Sequence, residues 1–133
     1  MKFHHVGVVV SSIEQYGCQL QRTFAVLPQG EVEFDPIQKV NVQFFAGAPD
    51  QVSLELIEPA AEDSPVTALL QKGGGVAHLC FEVEDICAAV RRASDNGAIV
   101  VGGPVAAAAF AHRQIAFVYC QGLGLVEFVE QSK

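Results

Sequence analysis

Residues 2–10 alternate between apolar and polar positions and are rich in β-branched side chains, the pattern of a strand. Ser11 followed by Glu14 reads as a capping box that opens a helix running to about Phe24. Short alternating runs come next at Glu31–Phe34, Val40–Phe45 and Gln51–Glu58, broken by Asp35-Pro36 and by Gly47-Ala48-Pro49-Asp50. A strand pattern returns at 76–83 and leads into a helix from about Asp85 to a C-cap at Asn96-Gly97, with further strands near 98–101, 113–119 and 123–130. Between the two stretches, Ser64-Pro65 places a capping residue before a proline at the first helical position. This predicts a short linking helix over Val66–Lys72, closed by Gly73-Gly74-Gly75. The segment Val105–Ala111 carries little pattern and reads as a mobile loop.

The order βαβββ thus occurs twice, and the residues repeat with it. Phe3-His4-His5-Val6-Gly7-Val8-Val9-Val10-Ser11-Ser12-Ile13 is echoed by Val76-Ala77-His78-Leu79-Cys80-Phe81-Glu82-Val83-Glu84-Asp85-Ile86. Likewise Val52-Ser53-Leu54-Glu55-Leu56-Ile57-Glu58 is echoed by Gly124-Leu125-Val126-Glu127-Phe128-Val129-Glu130. His78 stands 73 residues after His5, and Glu127 stands 72 after Glu55. A four-stranded sheet with one helix is too small to be stable alone. The expectation is therefore an α+β fold: one domain over 1–133, with module 1 at about 2–58, the linking helix at about 64–72 and module 2 at about 76–130. The two tandem βαβββ modules form one curved mixed sheet with helices outside.

Composition narrows what such a fold does. The chain of 133 residues suits a single core, and with half its residues apolar it is neither disordered nor fibrous. Eight Lys plus Arg against 15 Asp plus Glu, a net charge of −7 with no basic run, argues against nucleic acid and anionic membrane as partners. The longest apolar runs, Val8–Val10 and Val105–Ala111, are too short to cross a bilayer, and no signal-peptide pattern opens the chain. Cys18, Cys80, Cys87 and Cys120 make no C-x-x-C pair and sit mostly in apolar stretches, which predicts reduced, packed thiols and a cytoplasmic protein.

Side chains alternate across a strand, so register decides which residues meet. Val6, Val8 and Val10 share one face, and His5 lies on the other. Leu79, Phe81 and Val83 oppose His78, Leu54 and Leu56 oppose Glu55, and Val126 and Phe128 oppose Glu127. If the apolar faces pack on the helices, then His5, Glu55, His78 and Glu127 all project to the opposite, concave face. Carboxylates amid apolar strands are costly to bury unless paired or bound to a cation. Two imidazoles and two carboxylates suit one divalent ion such as Zn, Co, Ni, Mn or Fe(II), with positions left for substrate oxygens. The alternative is a metal-free ligand cavity lined by the same residues. His4 points the other way and reads as structural, Glu58 and Glu130 read by parity as solvated carboxylates on the helix side, and His112 and Arg113 are candidates to touch substrate.

These residues resemble the glyoxalase, bleomycin-resistance and vicinal-oxygen-chelate superfamily, over about 3–130. Within it the likeness is strongest to the methylmalonyl-CoA epimerase family: the strand beginning at His5, Leu54-Glu55-Leu56-Ile57-Glu58-Pro59, Asp63-Ser64-Pro65-Val66 running to Leu70-Gln71-Lys72, Gly75 to His78, and Leu125-Val126-Glu127-Phe128. The resemblance implies that His5, Glu55, His78 and Glu127 are metal ligands, and that the reaction removes and returns a proton beside a thioester carbonyl. Glu127 is the first choice of base, with Glu55 as the second catalytic carboxylate. An acyl-CoA or other carbonyl compound is the implied substrate. Three features depart from the epimerase pattern: Gln43 in the strand where a further acid is expected, Tyr119-Cys120-Gln121 in place of a His-Pro step, and few basic residues to meet the phosphates of coenzyme A. Glyoxalase I chemistry on a glutathione hemithioacetal and a metal-free binding or resistance protein are the rival readings; an extradiol dioxygenase generally needs a longer chain. A homodimer is expected, since an exposed sheet edge invites pairing.

Overall fold

The computed structural model describes residues 1–133. The chain divides into two compact units, His5–Ala77 and His78–Lys133, the latter joined by Met1–His4. Its nine strands belong to one mixed sheet, as the α+β reading of two βαβββ modules requires. No helix is long and apolar enough to cross a membrane.

The first unit runs β1 (Lys2–Val9), α1 (Ile13–Phe24), β2 (Leu27–Pro28), β3 (Glu33–Asp35), β4 (Val40–Ala46), β5 (Ser53–Pro59) and α2 (Thr67–Gln71). Here β1 lies parallel to β5, β5 antiparallel to β4, and β2 and β3 both pair antiparallel with β4. The two-residue β2 has no alternation to read, and the sequence pattern passes over it. Ile13, Phe45 and Leu56 form the buried centre of the contact between α1 and the strands, with Val8, Val10, Tyr16, Leu20 and Val26 around them. Gly17 makes this approach possible: a Cβ there would lie 2.9 Å from the tip of the Phe45 ring.

The second unit continues with β6 (Gly75–Val83), α3 (Ile86–Asp95), β7 (Ile99–Ala106), a short 3-10 helix (Ala108–Phe110), β8 (Gln114–Cys120) and β9 (Gly124–Glu130). Strand β6 lies parallel to β9, and β8 pairs antiparallel with both β9 and β7. Val83, Ile86, Ala89, Ala116, Val118, Val126 and Phe128 are the buried residues beneath α3. Phe3, from the start of β1, sets its ring 5.4 Å from that of Phe81.

Several local expectations change. The cap of α1 is Ser12, one residue later than the capping box read from Ser11, and its Oγ accepts from the Gln15 amide at 3.1 Å. Ser64 does not cap the linking helix; its Oγ is buried without a hydrogen-bond partner, and that helix starts after Val66. Nearby, Lys39 is hydrogen-bonded to Asp63 and holds its carboxyl below the usual range through that bond and its charge. The segment Val105–Ala111 is not a loop without anchors: Val105 and Ala106 finish β7, and Ala107 and Phe110 are buried. Its alanines carry no turn signal and small side chains, so the burial is invisible in the pattern. Of the four free cysteines, Cys80 is buried and Cys120 half-buried, whereas Cys18 and Cys87 are exposed on the helices rather than packed.

Glu58 and Glu130 are likewise not merely solvated. One oxygen of Glu58 accepts from the Ile13 amide at 2.9 Å and the other from the Asn41 side chain at 3.2 Å. Glu130 accepts from the Ile86 amide at 3.4 Å. Each carboxylate thus ties the last strand of its module to the first turn of that module's helix, where unpaired amides and the helix dipole favour negative charge. Glu58→Ala is expected to lower stability by about 1–2 kcal/mol, and Glu130→Ala by less because its bond is longer. Urea unfolding of each variant reads this directly; a wild-type midpoint with an unchanged slope would show that the bond contributes nothing.

Candidate metal centre

In the first unit, register alone accounts for which side chains meet. Val6 pairs with Leu54 and Val8 with Leu56 across the parallel β1–β5 ladder, and Val8 and Leu56 belong to the cluster under α1. Alternation therefore turns His5, Gly7 and Glu55 to the face away from the helix. Gly7 is the register partner of Glu55, and His5 lies two residues earlier. The result is His5 Nε2 at 3.4 Å from Glu55 Oε1. Both residues are withdrawn from water, with exposures of 0% and 4%.

The second unit repeats this arrangement. Val126 and Phe128 of β9, with Phe81 and Val83 of β6, face α3. Cys80 takes the place of Gly7 as register partner of the carboxylate, here Glu127, and His78 again lies two residues earlier. His78 Nε2 stands 2.8 Å from Glu127 Oε2, with exposures of 6% and 2%. Each predicted histidine is therefore brought to its predicted carboxylate.

A third residue recurs that sequence reasoning passed over. Phe44 of β4 is the register partner of Glu55, and its ring meets that of His5 edge-on, 5.2 Å between centroids at 77°. Phe117 of β8 is the register partner of Glu127 and meets His78 in the same manner, at 5.7 Å and 80°. A phenylalanine in a strand carries no functional signal by itself. The signal that was available is the spacing: Phe117 follows Phe44 by 73 residues, the interval between the two histidines.

The donors fit a divalent cation. A buried carboxylate needs a cation, a hydrogen-bond donor or a proton. Two atoms bound at about 2.1 Å to one ion lie about 3.0 Å apart at a right angle and about 3.4 Å apart at a tetrahedral angle. The His–Glu separations of 3.4 and 2.8 Å are close to that spacing. Imidazole nitrogen with carboxylate oxygen is the donor mixture that Zn, Co, Ni, Mn and Fe(II) accept.

The remaining candidates lie apart from these pairs. The His4 ring rests edge-on against Phe110, 5.8 Å away, in keeping with a structural role. Gln43 pairs with Leu56, so it shares the helix-side face and donates to the Gly30 carbonyl. The Arg113 guanidinium bonds Glu82 at 3.1 Å and the Glu130 carbonyl at 3.2 Å, and lies 5.5 Å over the Phe110 ring. These bonds fasten the 3-10 segment. His112 is exposed on the turn before β8.

Comparison with known proteins bears on the family and the fold. The family described as the Glyoxalase/Bleomycin resistance protein/Dioxygenase superfamily matches residues 4–117. Ethylmalonyl-CoA/methylmalonyl-CoA epimerase of Cereibacter sphaeroides is 35% identical over 103 residues, covering 76% of this chain and 75% of that protein. The crystal structure of methylmalonyl-CoA epimerase from Mycobacterium tuberculosis superposes with a TM-score of 0.86 at 21% identity, covering 99% of this chain and 89% of the other. A variant of the Streptomyces coelicolor epimerase in complex with 2-nitronate-propionyl-CoA gives 0.84 at 24% identity, covering 100% and 99%. At these identities the two structures bear on the fold.

Proposed function

Since the chain belongs to the glyoxalase, bleomycin-resistance and dioxygenase superfamily, we propose that it is a metal-dependent epimerase that removes and returns a proton on the carbon beside a thioester carbonyl, acting on a 2-methylmalonyl-CoA-like substrate. His5, Glu55, His78 and Glu127 are assigned to a single divalent ion: Co, Mn, Zn, Ni or Fe(II). The observation that carries the reading is the recurrence, in both units, of one buried His–carboxylate pair at one register. All four residues are buried, and each offers one ligand atom.

A divalent ion held by these residues supplies positive charge to the substrate's carbonyl and carboxylate oxygens as negative charge builds on them. The proton transfer itself falls to the carboxylates. Glu127 is the first choice of base and Glu55 the second; the two oxygens of a carboxylate would allow one to ligate while the other takes the proton. Burial keeps bulk water from competing for the proton, and the rings of Phe44 and Phe117 pack edge-on against the two histidines.

The reading extends to a cytoplasmic homodimer. Four unbridged cysteines support the compartment. The edge strand β7, with Ile99 65% and Val101 60% exposed, supports self-association.

The deciding experiment incubates the cobalt-loaded protein in heavy water with 2-methylmalonyl-CoA or with a glutathione hemithioacetal, and follows deuterium by NMR. Label entering the carbon between the thioester carbonyl and the carboxylate is the expected result. Label only in the hemithioacetal product would make the protein a glyoxalase I-type lyase, which uses the same donors. Label in neither, with less than about a tenth of an equivalent of metal in protein purified without chelators, would make it a metal-free binder.

A further inference from the structure

We propose that Phe44 and Phe117 are positioning residues that orient the imidazoles of His5 and His78 toward the ion; the inference rests on the metal reading above. An imidazole two bonds from the backbone retains one soft rotation, about its Cβ–Cγ bond. Its pairing with a carboxylate at Nε2 limits this rotation without setting the plane of the ring. A neighbouring aromatic ring does set it. In each unit a phenylalanine stands opposite the ligand carboxylate and reaches along the same face to the histidine, with ring planes at 77° and 80°. Edge-to-face contacts of this kind depend on angle as well as distance, unlike ordinary apolar packing. The same triad of carboxylate, imidazole and aromatic ring, at the same register in both units, is hard to reconcile with incidental core filling. Metal-binding histidines are generally fixed by a partner outside the ligand sphere, most often an acceptor for the other ring N–H, and losing such a partner lowers affinity even though every ligand remains; the edge-on phenylalanine is assigned a similar orienting part here.

Both phenylalanines are half-buried; tyrosine keeps the ring, whereas leucine keeps apolar bulk and removes it. Co2+ is titrated into metal-free wild-type protein, Phe44→Leu, Phe117→Leu and the two tyrosine variants, recording affinity and the visible absorption of the bound ion. Each leucine variant is expected to bind about tenfold more weakly with a changed spectrum. Each tyrosine variant is expected to return to wild-type values, and the thermal midpoint of the metal-free leucine variants to stay near that of wild type. Wild-type affinity and spectrum in both leucine variants would overturn the proposal while leaving the metal reading intact. So would equal losses in the leucine and tyrosine variants. Failure of the wild type itself to bind Co2+ would overturn the metal reading, and this inference with it.

Discussion

Glu127→Gln is expected to slow deuterium incorporation into the thioester by about a thousandfold while Glu55→Gln slows it by about tenfold or less. Glutamine nearly matches glutamate in size, and its carbonyl oxygen can still ligate a cation, but it cannot take a proton at neutral pH. The substitution therefore separates holding an ion from moving a proton, two roles that alanine would remove together. Both carboxylates stand beside a histidine on equivalent strands, so a difference between the variants reports on chemistry rather than on gross position. Co2+ affinity measured alongside guards against simple loss of the ion. The reverse order of effects would transfer the base to Glu55, and equal small effects would remove both glutamates from proton transfer.

Stripping the metal is expected to abolish the exchange and to lower the melting temperature by about 10 °C, with recovery on adding Co2+ back. His5, Glu55, His78 and Glu127 are all at most 6% exposed. Without a cation, two buried carboxylates lack the charge that would compensate them in a setting that solvates ions poorly. An ion bound only by the folded state removes that penalty and shifts the folding equilibrium by mass action. Calorimetry with and without a chelator measures the shift. An unchanged melting temperature together with undiminished exchange, in protein shown free of metal, would eliminate the ion from both folding and catalysis.

Much of this arrangement was legible in the sequence because two independent periodicities agree. Alternation places His5, Glu55, His78 and Glu127 on faces opposite the apolar ones, and the internal repeat puts the second pair where the first predicts it. Either signal alone is weak, since a lone histidine in a strand is common. What escaped notice depends on contacts distant along the chain. Glu58 meets its amide 45 residues away and Glu130 44 residues away, so no local pattern distinguishes a cap of this kind from a solvated carboxylate. Phe44 and Phe117 look like any apolar strand position until the register sets them against the histidines. Arg113 reads as a candidate to touch substrate because an Arg beside a His in a short turn says nothing about where its guanidinium goes; its bond to Glu82, 31 residues earlier, leaves no local pattern. The burial of Ala107 and Phe110 was hidden by a run of alanines, which fit helix, strand or turn alike.

On β5 and β9 the carboxylate proposed as a ligand and the helix-tying carboxylate stand three residues apart, an odd interval that sends them to opposite sides of the strand. A slip of either strand by a single residue would swing its ligand onto the helical layer and release the amide of Ile13 or Ile86 in the same event. Misaligned chains thus forfeit their anchor as well as their chemistry, and the error is visible to the folding equilibrium before any substrate arrives. The spacing works as a built-in proofreading of alignment, carried by two glutamates that lie outside the proposed metal site.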